Sequence, residues 1–167
     1  METDDKILFY STNNQYGYMS NFYKSNFTDN VNNYNCNEQY FMKKKQELFD
    51  MNNQYIANKI LQSNNPTEIK KYGRQVKNYN EIVWNNARYE IMKSGLRLKF
   101  NQNPVIKQKL IDTYPKNLFE ASIYDKIWGT GYDAENTIRL INNNSQDQLG
   151  QNLLGKALEE IRDELRN

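Results

Sequence analysis

Ile82-Val83-Trp84-Asn85-Asn86-Ala87-Arg88-Tyr89-Glu90-Ile91-Met92-Lys93-Ser94-Gly95-Leu96-Arg97-Leu98-Lys99-Phe100 is the longest stretch of this chain with a helical apolar pattern. Trp84, Ala87, Ile91, Met92 and Leu96 recur at the spacing of one helix face, which predicts a helix over about residues 82–100. Downstream, Pro104 opens another helix carrying Val105, Ile106, Leu110 and Ile111. A final helix over about 152–165 places Leu154, Leu158, Ile161 and Leu165 on one face. Upstream, Asn35 or Asn37 can cap a helix beginning near Glu38, with Tyr40, Phe41 and Leu48 toward a core. Tyr55, Ile56, Lys59 and Ile60 give a second helical pattern that stops at Ser63-Asn64-Asn65. Pro66 fits the first position of a third helix and Gly73 its stop. Extended structure is sparse: Ile7-Leu8-Phe9-Tyr10 suits a strand, and Leu118 to Ser122 a short strand entering Trp128-Gly129-Thr130-Gly131. The expected fold class is α+β, predominantly helical, one domain over residues 1–167 with a few short strands and no alternating βαβ pattern.

The composition restricts the chemistry. The chain has no histidine, so histidine-activated serine or cysteine nucleophiles, imidazole proton shuttles and histidine-bound zinc are excluded. Acid-base work falls to Glu, Asp, Lys or Tyr. One cysteine, Cys36, cannot form an internal disulfide, and no apolar run approaches the roughly 20 residues of a membrane span. Met1-Glu2-Thr3-Asp4-Asp5 lacks the apolar core of a signal peptide, so the expected location is cytoplasmic, in a soluble protein. A formal net charge of +2 favours a phosphate-bearing small ligand over a long duplex. The asparagine clusters share A/T-rich codons with the abundant Lys, Ile and Tyr. A biased genome explains them more simply than a prion-like tract, because apolar periodicity persists between them.

Two segments bring chemistry together: Glu38-Gln39-Tyr40-Phe41 running into Lys43-Lys44-Lys45, and Glu120 to Asp125 running into Trp128-Gly129-Thr130-Gly131. Glu38 closes Asn35-Cys36-Asn37-Glu38, which resembles a capping box, so a helix-start role competes with a catalytic one. Lys45 lies seven residues on and projects from the same helix face about two turns away. Arg74, Arg88 and Arg97 suit phosphate recognition, although exposed arginines on helices commonly serve solubility. Trp128 can stack on a flat ring or anchor a core. Gly150 to Gly155 can offer backbone and Asn152 amide groups to a ligand or simply start a helix.

Taken in order, the chain resembles the YbiA-like or NADAR family. The matching residues are Phe9-Tyr10-Ser11, Gly17 with Ser20-Asn21-Phe22, Glu38, Tyr40, Phe41, Lys45, Gly73-Arg74, Trp84 and Met92. They continue with Leu96, Arg97, Lys99, Phe100, Glu120-Ala121-Ser122, Tyr124, Asp125, Trp128, Gly129, Gly131, Asn152, Leu154, Gly155 and Arg162. The resemblance implies cleavage of an N-glycosidic bond between ribose C1 and an exocyclic amine. The substrates it implies are phosphorylated ribosylaminopyrimidine intermediates of riboflavin synthesis, or ADP-ribose on the amino group of guanine, including ADP-ribosylated nucleic acid. Three departures stand out: Gln39 where a histidine is common, Met42 and Lys44 where glutamines are common, and an Asn-rich stretch from Tyr132 to Gln148.

On this resemblance Glu38, Lys45 and Asp125 are the expected catalytic residues. Tyr10, Asn21, Arg74, Arg97, Tyr124, Trp128, Gly131 and Asn152 are the expected substrate-binding residues. No cofactor is required and no metal ligand set is visible, though magnesium can neutralise a diphosphate. Glu38 is expected to act as general acid, and Lys45 to form a Schiff base with C1. In a competing path Asp125 stabilises an oxocarbenium-like centre and orients water. The alternatives to an enzyme are a non-catalytic ADP-ribose reader and an immunity or interaction protein.

Overall fold

The computed structural model describes residues 1–167, and no helix in it is long and apolar enough to cross a membrane. The chain folds as two compact units, one of residues 21–104 and one of residues 1–20 with 105–167.

Residues 21–104 are an assembly of helices with one small hairpin. Strands β1 (Lys6–Phe9), β2 (Phe27–Thr28) and β3 (Asn33–Tyr34) precede the first helix, and β2 pairs antiparallel with β3. Helices α1 (Asn37–Phe49), α2 (Gln54–Gln62), α3 (Pro66–Gly73) and α4 (Glu81–Asn101) follow, and α1 packs against the other three. The expected long helix is α4, with Trp84, Met92 and Leu96 buried. Pro66 does begin α3, where its missing N–H costs nothing, and Asn65 caps it by accepting from the Thr67 amide at 3.0 Å.

Gly73 ends α3 without adopting a left-handed conformation. A Cβ there would collide with Met42 of α1, so this glycine exists for close helix approach. Gly95 of α4 serves the same purpose against Asn37 and Tyr40. Phe27, Tyr34 and Tyr40 cluster under the hairpin, with ring centroids 5.2–6.1 Å apart. Leu48, expected in the core, is exposed at the last turn of α1.

The other unit contains β1, α5 (Pro104–Ile111), β4 (Asn117–Glu120), α6 (Ala134–Asn142) and α7 (Leu153–Arg166). β1 and β4 pair in parallel, with Phe9 opposite Glu120. Leu154, Leu158 and Ile161 are buried on α7, which packs on β4. Arg162 is also buried and donates to the Lys116 carbonyl at 2.7 Å and to Thr113 Oγ1 at 3.2 Å. Two elements differ from expectation. The Asn-rich stretch after Tyr132 contains α6, capped by Asp133, whose Oδ1 accepts from the Asn136 amide at 2.8 Å. The hairpin β2–β3 had no counterpart, because two-residue strands leave no alternation to detect.

Candidate functional site

Glu38 stands in the first turn of α1 and is 5% exposed. The capping box is not formed: Cys36 is the N-cap and makes no side-chain cap bond, so Glu38 is the second helical residue rather than the third. The helix start is held from elsewhere. The Glu38 amide donates to the Asn21 carbonyl at 3.0 Å, and buried Asn37 donates its side-chain amide to Asn21 Oδ1 at 2.8 Å. Asn21 therefore positions the turn that carries Glu38.

Lys45 projects from the same face of α1, half-buried. Its Nζ donates to the Gly73 carbonyl at the end of α3 at 2.9 Å, and lies 4.8 Å from the ring centroid of Tyr79 and 5.8 Å from that of Trp84. Burial pushes the Lys45 amine below the ordinary lysine value; the charge of Glu38 opposes this and that of Arg74 adds to it. A carboxylate, an amine biased toward its neutral form, a cation and two aromatic rings thus share one electrostatic environment. Trp84 is itself anchored by Phe41, 4.9 Å between centroids.

The other lysines of this run are not equivalent. Lys43 donates to Glu47 at 2.7 Å, while Lys44 contacts Glu47 at 2.8 Å and Asp29 at 2.9 Å. Burial opposes ionisation of Lys44, but those two carboxylates win and hold its pKa above the ordinary value. Gln39, where the resemblance leads one to expect a histidine, is fully buried. Its Oε1 accepts from the Asn35 amide at 2.7 Å and its Nε2 donates to the carbonyls of Ile60, Leu61 and Ser63. It ties the end of α2 to α1. Arg74 is exposed at the C-cap of α3, near enough to influence Lys45. Arg97 is felt by Tyr40, which lies across α1 from Glu38 and Lys45.

In the second unit, Tyr10 follows β1 and is about half exposed, while Tyr124 follows β4 and is 86% exposed. Asp125 Oδ1 accepts from the amides of Ile127 at 2.9 Å and Trp128 at 2.8 Å, closing the turn that carries the partly buried Trp128. Gly131 has φ 77°, and a Cβ there would run into Lys126, so this position demands glycine.

The amides of residues 150–154 donate in succession to the carbonyls of Thr130, Lys126, Gly129, Ile127 and Trp128, so this run is engaged within the protein. Asn152, buried at φ 51°, accepts from the Glu120 amide at 3.0 Å and donates to the Leu118 carbonyl at 2.8 Å. Its side chain continues the edge of β4. Sequence reasoning gave Tyr79 no role, and gave Trp84 a place on the apolar face of the long helix and in the motif but none in the site. Tyr79 carries no local signal, since it lies in a polar segment between two helices. No group of three or more Cys, Asp or Glu side chains is arranged to hold a metal ion.

Residues 8–166 match the family model of the NADAR domain. The chain belongs to the NADAR domain family. This NADAR chain is 38% identical to N-glycosidase R617 of Acanthamoeba polyphaga mimivirus, over 98% of both chains. It is 27% identical to N-glycosidase YbiA of Escherichia coli strain K12, covering 97% of this chain and 89% of that one. The riboflavin biosynthesis protein VVA0006 of Vibrio vulnificus is 26% identical, matched over 97% of this chain and 39% of its own length. The NMR structure of E. coli YbiA superposes with a TM-score of 0.74 at 26% identity, covering 99% of this chain and 88% of that one. The expected family and the predominantly helical α+β fold are both borne out.

Proposed function

We propose that this NADAR protein is a hydrolase of N-glycosidic bonds, acting where ribose C1 carries an exocyclic amine. Both the mimivirus relative and YbiA are named N-glycosidases, which supports this reading. The observation that carries the mechanism is Lys45: an amine biased toward neutrality on the helix face that also bears Glu38.

In the proposed sequence Glu38 acts from its protonated form and gives that proton to the ribose ring oxygen as the bond from that oxygen to C1 breaks, leaving an iminium between C1 and the exocyclic nitrogen. The neutral Lys45 amine adds to C1. A proton passes from the lysine nitrogen to the base nitrogen, the bond from C1 to the base breaks, and the free base amine departs. Water adds to the resulting Schiff base, releases the C1 aldehyde of the ribose and returns the proton to Glu38 and the neutral amine to Lys45. General acid catalysis and covalent catalysis by an amine of depressed pKa are both suited to a leaving group that departs poorly as an anion. Arg74 would favour a substrate bearing phosphate near this amine.

Two substrates have this chemistry: a phosphorylated ribosylaminopyrimidine and ADP-ribosylated guanosine. Incubation of the protein with each, followed by mass spectrometry, should show release of the free base amine from at least one. Both remaining intact at high protein concentration would refute the proposed activity.

A further inference from the structure

Residues 74–80 connect α3 to α4 and are fastened to the end of α1. Val76 is buried, the Lys77 amide donates to Asp50 Oδ2 at 3.1 Å, and Asn78 donates its side-chain amide to the Phe49 carbonyl at 3.4 Å. Tyr79 is thereby held in place, yet it is 48% exposed. Its ring packs on Phe49 at 5.5 Å and 62°, with the Lys45 Nζ 4.8 Å from its centroid. Leu48 and Met51 at the end of α1, and Ile82 and Val83 in the first turn of α4, are also exposed. The Tyr79 ring is fixed against Phe49, half open, and beside the amine on which the proposed chemistry rests.

We propose that Tyr79 is a specificity-determining residue: its ring holds the Lys45 amine in position and offers the platform on which the flat heterocycle of the substrate stacks. This deepens the N-glycosidase reading, because a substrate in which a heterocyclic amine is joined to ribose must place that heterocycle near whichever amine attacks C1. A ring face attracts an ammonium, and it accepts a base of any sequence by stacking.

The test uses the full chain and two probes, guanosine 5′-phosphate and ribose 5-phosphate, with binding measured by calorimetry. Tyr79→Leu should weaken guanosine 5′-phosphate by about tenfold while leaving ribose 5-phosphate unchanged, and Tyr79→Phe should retain parental binding of both. Separately, the pH dependence of Lys45 modification by an amine-selective reagent, followed by peptide mass spectrometry, should move to lower pH in Tyr79→Leu. Modification at pH 8 should then be about two- to fivefold faster, and Tyr79→Phe should restore the parental profile. Equal weakening of both probes, no binding of guanosine 5′-phosphate by the parent, or an unmoved modification profile would each overturn the proposal. Neither readout needs turnover, so these results separate the role of Tyr79 from failure of the N-glycosidase reading itself.

Discussion

Two lysines of residues 21–104 are both shifted toward neutrality by burial, yet their surroundings differ in kind. Lys45 is half-buried on α1, bonded to the Gly73 carbonyl, with Tyr79 half open beside it and the charge of Glu38 within reach. Lys99, on α4, is 0% exposed, its amine 5.2 Å from the ring centroid of Phe100 and 5.7 Å from that of Tyr23. Burial pushes Lys99 down to about 7, against which the nearby Cys36 thiol acts in the opposite sense. A depressed pKa is therefore not by itself the mark of a nucleophile; an amine must also be reachable and have an acid nearby.

The largest expected effect is on Lys45 and Glu38. Lys45→Arg keeps a cation but removes the nucleophile, and Glu38→Gln keeps the shape but removes the proton. Each should reduce turnover by about 10²- to 10⁴-fold in a protein that remains folded by circular dichroism. Lys99→Met should instead retain turnover. Full activity of Lys45→Arg together with loss in Lys99→Met would invert the comparison.

The second effect is on stability. Below pH 7 Lys99 is protonated both folded and unfolded, so its contribution is constant. Between its folded pKa of about 7 and the unfolded value of 10.5 the unfolded chain binds more protons, so the parent gains stability as pH rises. The slope is at most about 1.4 kcal/mol per pH unit and is absent from Lys99→Met. Urea unfolding of both proteins at pH 6, 7, 8 and 9 measures it. Parallel pH profiles would show that Lys99 keeps its proton in the folded state.

A third comparison concerns Asp125. Its Oδ1 accepts two backbone amides, which Asn can still do and Ala cannot. Asp125→Asn should keep turnover within a few-fold, whereas Asp125→Ala should lose about 1–2 kcal/mol of stability. Loss of turnover in Asp125→Asn as large as that in Lys45→Arg would favour the oxocarbenium path. Gly73→Ala should cost about 1–3 kcal/mol because Met42 must move, and should disturb the carbonyl that holds Lys45.

The frame of the molecule was legible wherever apolar periodicity ran long enough. α4 announced itself through Trp84, Met92 and Leu96, and α7 through Leu154, Leu158 and Ile161. α6 was hidden because asparagines surround its few apolar positions, although Asp133 and Ile141 carried a faint signal. The face shared by Glu38 and Lys45 followed from seven-residue spacing alone. Their surroundings did not, since Gly73 and Tyr79 reach Lys45 from distant positions in the chain. The capping box at Glu38 is absent, and the Glu38 amide donates instead to the Asn21 carbonyl, a tertiary bond that no local pattern reveals. Lys99 was equally opaque, because a lysine on a helix is ordinarily solvated.

The most direct test of the account is chemical trapping on Lys45. Borohydride added while the protein turns over ADP-ribosylated guanosine or the ribosylaminopyrimidine phosphate should reduce the Schiff base to a stable ribosyl adduct, located on Lys45 by peptide mass spectrometry and absent from Lys45→Arg. Turnover without any adduct, under conditions that trap a known imine-forming enzyme, or an adduct on another lysine, would contradict the claim that Lys45 attacks ribose C1.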